Sequence, residues 1–218
     1  GKTITLTNGT NSLFTTLTGK ISNLKTSGNV TLSSGTSAIY AGTNMGTITN
    51  CENIAALESS AEYVGVFAGN NNQNGKVLYC INRALIETTA ANNGGMVGFN
   101  QYGTINYCAN YGNIIAENQN TGGIVGRFNA GTVSNCYNQG EISGTNNTGG
   151  IAGFTYQLAT AISDCINKGK IKSGNAATPG GILGGANVGI TISDCYNAGE
   201  IYGNNVNKSV SHSLSGSA

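Results

Sequence analysis

The stretch GTVSNCYNQGEISG, residues 131–144, recurs along the chain at intervals of about 28 to 30 residues and decides the fold. Its relatives are GTINYCANYGNI at 103–114, AISDCINKGKIKSG at 161–174 and TISDCYNAGEIYG at 191–203. Successive cysteines in this phrase are separated by 29, 28, 28, 29 and 30 residues: Cys51, Cys80, Cys108, Cys136, Cys165 and Cys195. So regular a repeat indicates a solenoid, in which each unit buries its apolar side only against its neighbours.

A second, glycine-rich phrase lies upstream of each cysteine phrase. It reads GGMVG at 94–98, GGIVG at 122–126, GGIAG at 149–153 and GGILG at 180–184, with VGVFA at 64–68 and SAIYA at 37–41 as degenerate forms. The first stretch, residues 11–30, fits the same template, with Leu24 where the other units have Cys. The chain therefore contains seven units.

Each unit carries three short apolar patches that are separated by Gly, Asn, Ser and Thr. These patches are too short for an amphipathic helix, and the residues between them are typical of turns and strand ends. The pattern predicts an all-β fold, a right-handed parallel β-helix of about seven coils of 27–30 residues, with three strands in each coil. We expect an amino-terminal strand or cap in residues 1–10, the β-helix in residues 11–203 and a polar tail or linker in residues 204–218.

Aligning the units predicts which residues stack in the core. Three apolar columns result: Leu13, Ile39, Val66, Met96, Ile124, Ile151 and Ile182; Ile21, Ile48, Val77, Ile105, Val133, Ile162 and Ile192; and Val30, Leu57, Ile86, Ile114, Ile142, Ile171 and Ile201. Stiff β-branched side chains suit such stacked, pleated surfaces. A structural ladder of amides is expected two residues after each cysteine, at Asn53, Asn82, Asn110, Asn138, Asn167 and Asn197. The paired glycines are expected to permit positive φ and close contact between coils.

Composition excludes two classes of partner. Charged residues make up 9% of the chain and the net charge is +1, so there is no basic stripe for nucleic acid. No apolar run reaches membrane-spanning length, and we expect no membrane insertion. With 39% hydrophobic residues, the chain can still bury a core.

The cysteine column has three interpretations. A straight column of thiols does not make a tetrahedral metal site, and no C-x-x-C pair accompanies it, so we expect neither a metal nor another cofactor. Disulfides between neighbouring coils would need Cβ atoms about 1 Å closer than parallel side chains bring them. The favoured interpretation is a structural column of buried free thiols.

The two phrases together, GGIVG followed by GTVSNCYNQGEISG, resemble the GLUG-motif repeats of large secreted and wall-attached bacterial proteins. The resemblance covers residues 11–203 and is strongest from Gly94 onward. It implies a parallel β-helix on a bacterial cell-surface protein, often beside adhesive or peptidase domains. It implies no catalytic residues.

Candidate catalytic groups are few, and we expect no enzyme activity. The single histidine, His212, lies in the polar tail, away from the repeats. Asp164 and Asp194 are in register on adjacent coils, a carboxylate spacing that retaining glycosidases use. Because Asn135 occupies the equivalent place, a role as turn residues is favoured over a glycosidase pair. Glu141, Lys170 and Glu200 are expected to form an exposed column of alternating charge.

Large side chains interrupt the small, polar pattern just after the glycine-rich phrases. These candidate ligand-binding residues are Phe99, Tyr102, Arg127, Phe128, Phe154 and Tyr156. Aromatic rings beside amides can bind sugars, although the same rings can instead cap a corner of the solenoid. The sequence thus favours a non-catalytic extracellular module, secreted or at the cell wall, that acts in adhesion or as a rigid spacer. The alternative is a lectin-like module accessory to a carbohydrate-active enzyme or peptidase, and the expected partners are a glycan, a host or matrix surface and the parent chain's other domains.

Overall fold

A computed structural model describes residues 1–156, 160–174, 179–187 and 189–203. These residues form a parallel β-helix and contain no helix. Accordingly, the described residues include no helix that could cross a membrane. Two sheets of the β-helix contain seven equivalent strands each. Six turns of chain therefore separate the first strand of such a sheet from the last. This agrees with the predicted number of about seven coils.

The strands are short and follow one another closely. In chain order they begin with β1 (Lys2–Gly9), β2 (Phe14–Leu17), β3 (Lys20–Ser22), β4 (Leu24–Leu32), β5 (Thr36–Ala38), β6 (Ala41–Asn44), β7 (Thr47–Thr49), β8 (Glu52–Asn53), β9 (Ala56–Ser59), β10 (Tyr63–Gly65) and β11 (Ala68–Asn71). They continue with β12 (Lys76–Leu78), β13 (Ile81–Asn82), β14 (Ile86–Thr88), β15 (Asn93–Gly94), β16 (Val97–Asn100), β17 (Thr104–Asn106), β18 (Ala109–Asn110), β19 (Ile114–Ala116), β20 (Thr121–Gly122), β21 (Val125–Phe128) and β22 (Gly131–Ser134). The last are β23 (Tyr137–Asn138), β24 (Ile142–Gly144), β25 (Thr148–Gly149), β26 (Ala152–Thr155), β27 (Thr160–Ser163), β28 (Ile166–Asn167), β29 (Ile171–Ser173), β30 (Leu183–Ala186), β31 (Thr191–Ser193), β32 (Tyr196–Asn197) and β33 (Ile201–Gly203).

Four parallel sheets form the walls of the solenoid. Sheet I contains β5, β10, β15, β20 and β25; sheet II contains β2, β6, β11, β16, β21, β26 and β30; sheet III contains β3, β7, β12, β17, β22, β27 and β31. Sheet IV has 14 strands, because the long strand β4 joins the ladder that begins at β8 to the ladder that begins at β9. A complete coil therefore has five short strands rather than the three predicted, since two-residue strands also form at the corners.

The core is built from the three predicted columns. Sheet III pairs Ile105 with Val133 and Val133 with Ile162, and sheet IV pairs Ile114 with Ile142. The third column is joined by backbone hydrogen bonds such as the one from Ile124 N to Ile151 O, 2.9 Å long. All five side chains just named from sheets III and IV are completely buried, so the predicted register is confirmed.

The asparagine ladder is also confirmed, and the central rung at Asn138 shows its hydrogen-bond pattern. Asn138 donates one amide hydrogen to Gly140 O, 3.0 Å away, and the other to Asn167 Oδ1, 2.7 Å away. Its own oxygen accepts from Asn110 Nδ2 at 2.9 Å. Thr26 begins the ladder by donating its hydroxyl hydrogen to Asn53 Oδ1 at 2.7 Å. The rungs thereby pair buried polar groups at a corner where the strands are only two residues long.

The structure contains two further amide ladders, which the repeat phrases did not predict. Asn44, Asn71 and Asn100 are buried in sheet II, and their amides are joined at 2.8 Å in each step. Asn92, Asn120 and Asn147 have φ angles of 61°, 60° and 50° and are joined at 2.9 and 2.8 Å. Asparagine suits this second set because it tolerates the left-handed conformation and bonds locally.

The paired glycines serve close packing and not positive φ, which corrects the expectation. None of the four pairs has φ in the left-handed region. A Cβ on Gly122 would lie 2.2 Å from Val125 O, and one on Gly123 would lie 2.3 Å from Gly150 O. Any side chain here would therefore force neighbouring coils apart.

The ends and the charged rim differ slightly from the predicted scheme. Strand β1 pairs in parallel with β4 and so covers the first coil, where a strand or cap was expected. Lys170 lies 3.8 Å from Glu200, but Glu141 pairs with Lys172 and not with Lys170. The predicted polar tail, residues 204–218, lies outside the described residues.

Candidate functional site

An arginine and four aromatic rings form the candidate site on sheets I and II. In sheet II, Phe99 pairs with Arg127 and Arg127 with Phe154, so these three residues stack on consecutive coils. Tyr156 follows Phe154 by two residues, and Tyr63 joins from β10 of sheet I. We call Tyr63, Phe99, Arg127, Phe154 and Tyr156 the Arg127 cluster.

The rings of the Arg127 cluster hold the guanidinium in place. The Arg127 Cζ atom lies 4.2 Å from the ring centre of Tyr156 and 5.0 Å from that of Phe99. Phe99 stacks on Tyr63 with centroids 5.1 Å apart, and Phe154 meets Tyr156 edge to face at 4.5 Å. Phe99 and Phe154 are each 8% exposed, whereas Tyr156 is 37% exposed. The cluster thus presents one open ring beside a fixed cation.

The electrostatics of the cluster are dominated by Arg127. Its Nε donates to Asn129 Oδ1 at 3.3 Å, and no carboxylate of the described residues lies within 4.0 Å of it. Burial raises the pKa of the neighbouring Tyr63 hydroxyl, and Glu62 raises it further, while Arg127 has the opposite effect. The site therefore places a guanidinium that has no ion pair among the described residues next to an exposed ring.

Four of the six predicted binding residues come together: Phe99, Arg127, Phe154 and Tyr156. Phe128 does not, because it is completely buried in the core and pairs with Thr155 and Asn100. It fills the place where the buried ladder of sheet II would have its next amide, so it is not available to a ligand.

Tyr102 and Tyr63 also differ from the prediction. Tyr102 is 52% exposed, and no ring contact among the described residues joins it to the Arg127 cluster. Tyr63 belongs to the cluster, although it lies before a glycine-rich phrase and not after one. Tyr63 occupies the position that Thr36 has in the preceding coil. The replacement of that small residue by a ring, which stacks on Phe99, is the sequence signal that indicates Tyr63.

A second aromatic pair lies at the corner before the cysteines. Tyr79 and Tyr107 stack with centroids 5.0 Å apart and planes inclined by 2°. Their φ angles are 53° and 52°, in a column where Asn50 and Asn135 have 54° and 51°. A left-handed conformation is unfavourable for a large side chain, and here it is maintained by the corner and by the stack.

The two aspartates occupy the same left-handed corner. Asp164 and Asp194 have φ angles of 53° and 51°, and both side chains are exposed. This conformation supports the turn role, because Asp, like Asn, tolerates it. The described residues contain no group of three or more His, Cys, Asp or Glu arranged to hold a metal ion.

The cysteine column faces the interior. All six thiols are buried and unpaired, and Cys136 Sγ donates to Ser134 O at 3.1 Å. Burial raises the pKa of the Cys80 and Cys136 thiols well above the usual range. These thiols are placed as small core side chains and not as surface nucleophiles.

Comparisons with known proteins extend only to the fold. No protein-family model and no curated protein matches the chain. Among solved structures, it resembles one described as "a putative immunoglobulin A1 protease from Bacteroides ovatus", with a TM-score of 0.58 and 16% identity. The match covers 91% of this chain and 65% of that one. At this identity the likeness shows a shared β-helix architecture.

Proposed function

We propose that the chain is a non-catalytic, rigid repeat module of a secreted or cell-surface bacterial protein, and that it acts in adhesion by binding a glycan at the Arg127 cluster. The observation that carries the proposal is the cluster itself, in which a guanidinium with no ion pair among the described residues and the open Tyr156 ring interrupt a regular, weakly charged solenoid. A sugar offers an apolar face to such a ring and hydroxyls to neighbouring polar groups.

The stacked architecture supports a role in display. Within each sheet, every strand except those at the two ends is hydrogen-bonded to the strands above and below, and the core columns run through seven levels. Such a solenoid holds a surface at a fixed distance and orientation. The β-helix in a protein described as a protease from Bacteroides ovatus is consistent with a module that accompanies other domains.

The test is binding of a multivalent form of the chain, biotinylated and tetramerised on streptavidin, to arrays of glycans and matrix proteins. Multivalency converts weak single-site binding into measurable avidity. We expect Tyr156→Ala to lower binding at least tenfold and to leave the melting temperature nearly unchanged, because Tyr156 is partly exposed. Tyr196→Ala is the matched control, since Tyr196 is 52% exposed on sheet IV, apart from the cluster.

Failure of the multivalent chain to bind any array component would contradict the adhesive role and leave that of a spacer. Loss of binding together with a large fall in melting temperature would identify Tyr156 as a structural cap.

A further inference from the structure

We propose that the ligand of the Arg127 cluster is a carboxylated sugar, whose carboxylate pairs with the Arg127 guanidinium while its ring packs on Tyr156. This inference rests on the proposed glycan-binding function and adds the chemical class of the ligand. The aromatic side chains of the cluster support glycan binding, whereas the class of glycan follows from the cation among them.

The chain contains two arginines, and their surroundings differ. Arg83 lies over the Tyr111 ring at 4.8 Å and forms an ion pair with Glu52, with Nε 2.8 Å from Oε1. Arg127 is held by two rings, yet no described carboxylate lies within 4.0 Å of it. Of two ring-bound arginines, only Arg83 has its charge neutralised within the described chain.

Arg127 uses only part of its hydrogen-bonding capacity within the described residues. A guanidinium has five N–H donors, and Nε is the one that donates to Asn129. Contact with Phe99 and Tyr156 fixes its plane, so less conformational entropy is lost when a ligand binds. The planar fork of an arginine matches the two oxygens of a carboxylate.

The surroundings favour an anionic sugar over a neutral one. Rings on both sides displace water from the guanidinium, which strengthens its interaction with a charged partner. Glu62 interacts with the Tyr63 hydroxyl, but none of the ion pairs among the described residues joins it to Arg127. Glu62 is exposed, so solvent screens its charge, whereas Arg127 is partly buried beside two rings.

The experiment compares pairs of glycans that differ only in the carboxylate. One pair is oligogalacturonate and its carboxyl-reduced form, and the other is sialyllactose and its carboxyl-reduced form. We expect the tetrameric chain to prefer the acidic member of at least one pair by about tenfold or more, since a charge-assisted hydrogen bond supplies that much discrimination. Preference in one pair and not in the other identifies the source of the carboxylate, a uronic or a sialic acid, and supports the proposal.

Two substitutions make the test specific for the guanidinium. Arg127→Gln should remove the preference for the acidic member. Arg127→Lys should retain only part of that preference, because lysine keeps the charge but loses the planar fork. Arg83→Gln is the matched control and should leave the preference unchanged, since the charge of Arg83 is already paired. Circular dichroism and melting temperature of each variant verify that it is folded.

The outcomes separate this inference from the proposed function. Equal binding of the acidic and neutral members, with loss of both in Tyr156→Ala, would uphold glycan binding and overturn the carboxylate. An unchanged preference in folded Arg127→Gln would also overturn it. Absence of binding to all four glycans and to every other array component would contradict both proposals.

Discussion

Single side chains show how the fold makes polar residues stable in its interior. Asn138 is completely buried, yet its two amide hydrogens and its oxygen all have partners. An unpaired buried polar group costs about 1 to 3 kcal/mol, so the value of each rung lies mainly in the partners that it satisfies.

We therefore expect Asn138→Ala to lower the free energy of unfolding by about 3 kcal/mol or more. It would remove the hydrogen bonds that the Asn138 side chain makes with the Asn110 amide, the Gly140 carbonyl and the Asn167 oxygen. Urea denaturation monitored by circular dichroism measures the change.

Gln139→Ala is the matched control for the Asn138 experiment. Gln139 is the next residue, is exposed and makes its side-chain hydrogen bond to Tyr137, so its loss should cost less than about 0.5 kcal/mol. Equal effects of the two substitutions would show that the ladder contributes nothing beyond an ordinary polar surface.

The sequence predicted this ladder because its asparagines recur at a fixed distance from the cysteines. It could not distinguish Arg127 from Phe128, which are adjacent in one strand and differ in burial. In the column of Phe128, the coils below have the polar residues Asn71 and Asn100. A phenylalanine there has no apolar pattern around it in the sequence, and only its neighbours in space show that it is buried.

At the scale of the elements, the corners are where prediction was least complete. Strands such as β18 and β23 have two residues each, so they show no hydrophobic period of their own. The longer columns of sheets III and IV were predicted because an apolar residue recurs there in every unit. The walls of the solenoid are thus encoded by apolar residues and its corners mostly by Asn, Gly and Cys.

The cysteine column makes a prediction for one of these corners. We expect all six thiols to be unreactive toward an aromatic disulfide reagent in the native protein and to react together on denaturation. Burial raises the pKa of Cys80 and Cys136, so the neutral thiol is favoured in the folded state. The neutral Cys80 and Cys136 thiols therefore stabilise the folded state at neutral pH. This stabilisation is lost as pH rises above the ordinary thiol pKa, near 8.5.

Thiol titration with and without denaturant, repeated between about pH 7 and 10, measures this accessibility. Mass spectrometry of the native protein is the independent control. A mass lower by two hydrogens for each cysteine pair would contradict the free-thiol column and indicate disulfides between coils.

At the scale of the whole molecule, the columns make each coil depend on its neighbours. Ile114 and Ile115 are adjacent in β19, but Ile114 is completely buried between Ile86 and Ile142, whereas Ile115 is 46% exposed. The same substitution at these two positions therefore distinguishes the core from the surface.

We expect Ile114→Asp to prevent folding, because a buried, unpaired carboxylate costs several kcal/mol in the middle of a stacked core. Ile115→Asp should remain folded and lose less than about 1 kcal/mol. Far-UV circular dichroism and thermal melting measure both. A stable, cooperative Ile114→Asp variant would contradict the assignment of this column to the core.

The asparagine ladder also has a direction. From Thr26 to Asn197, every donor points to the acceptor of the following coil, so the side-chain dipoles add along the axis. In the ladder of Asn147, Asn120 and Asn92, the amides point the opposite way. Because aligned hydrogen bonds polarise one another, a rung in the middle of the ladder is held more firmly than one near its ends. The solenoid thus contains an internal electrical polarity, and the amide protons of its central rungs should be the slowest to exchange with solvent.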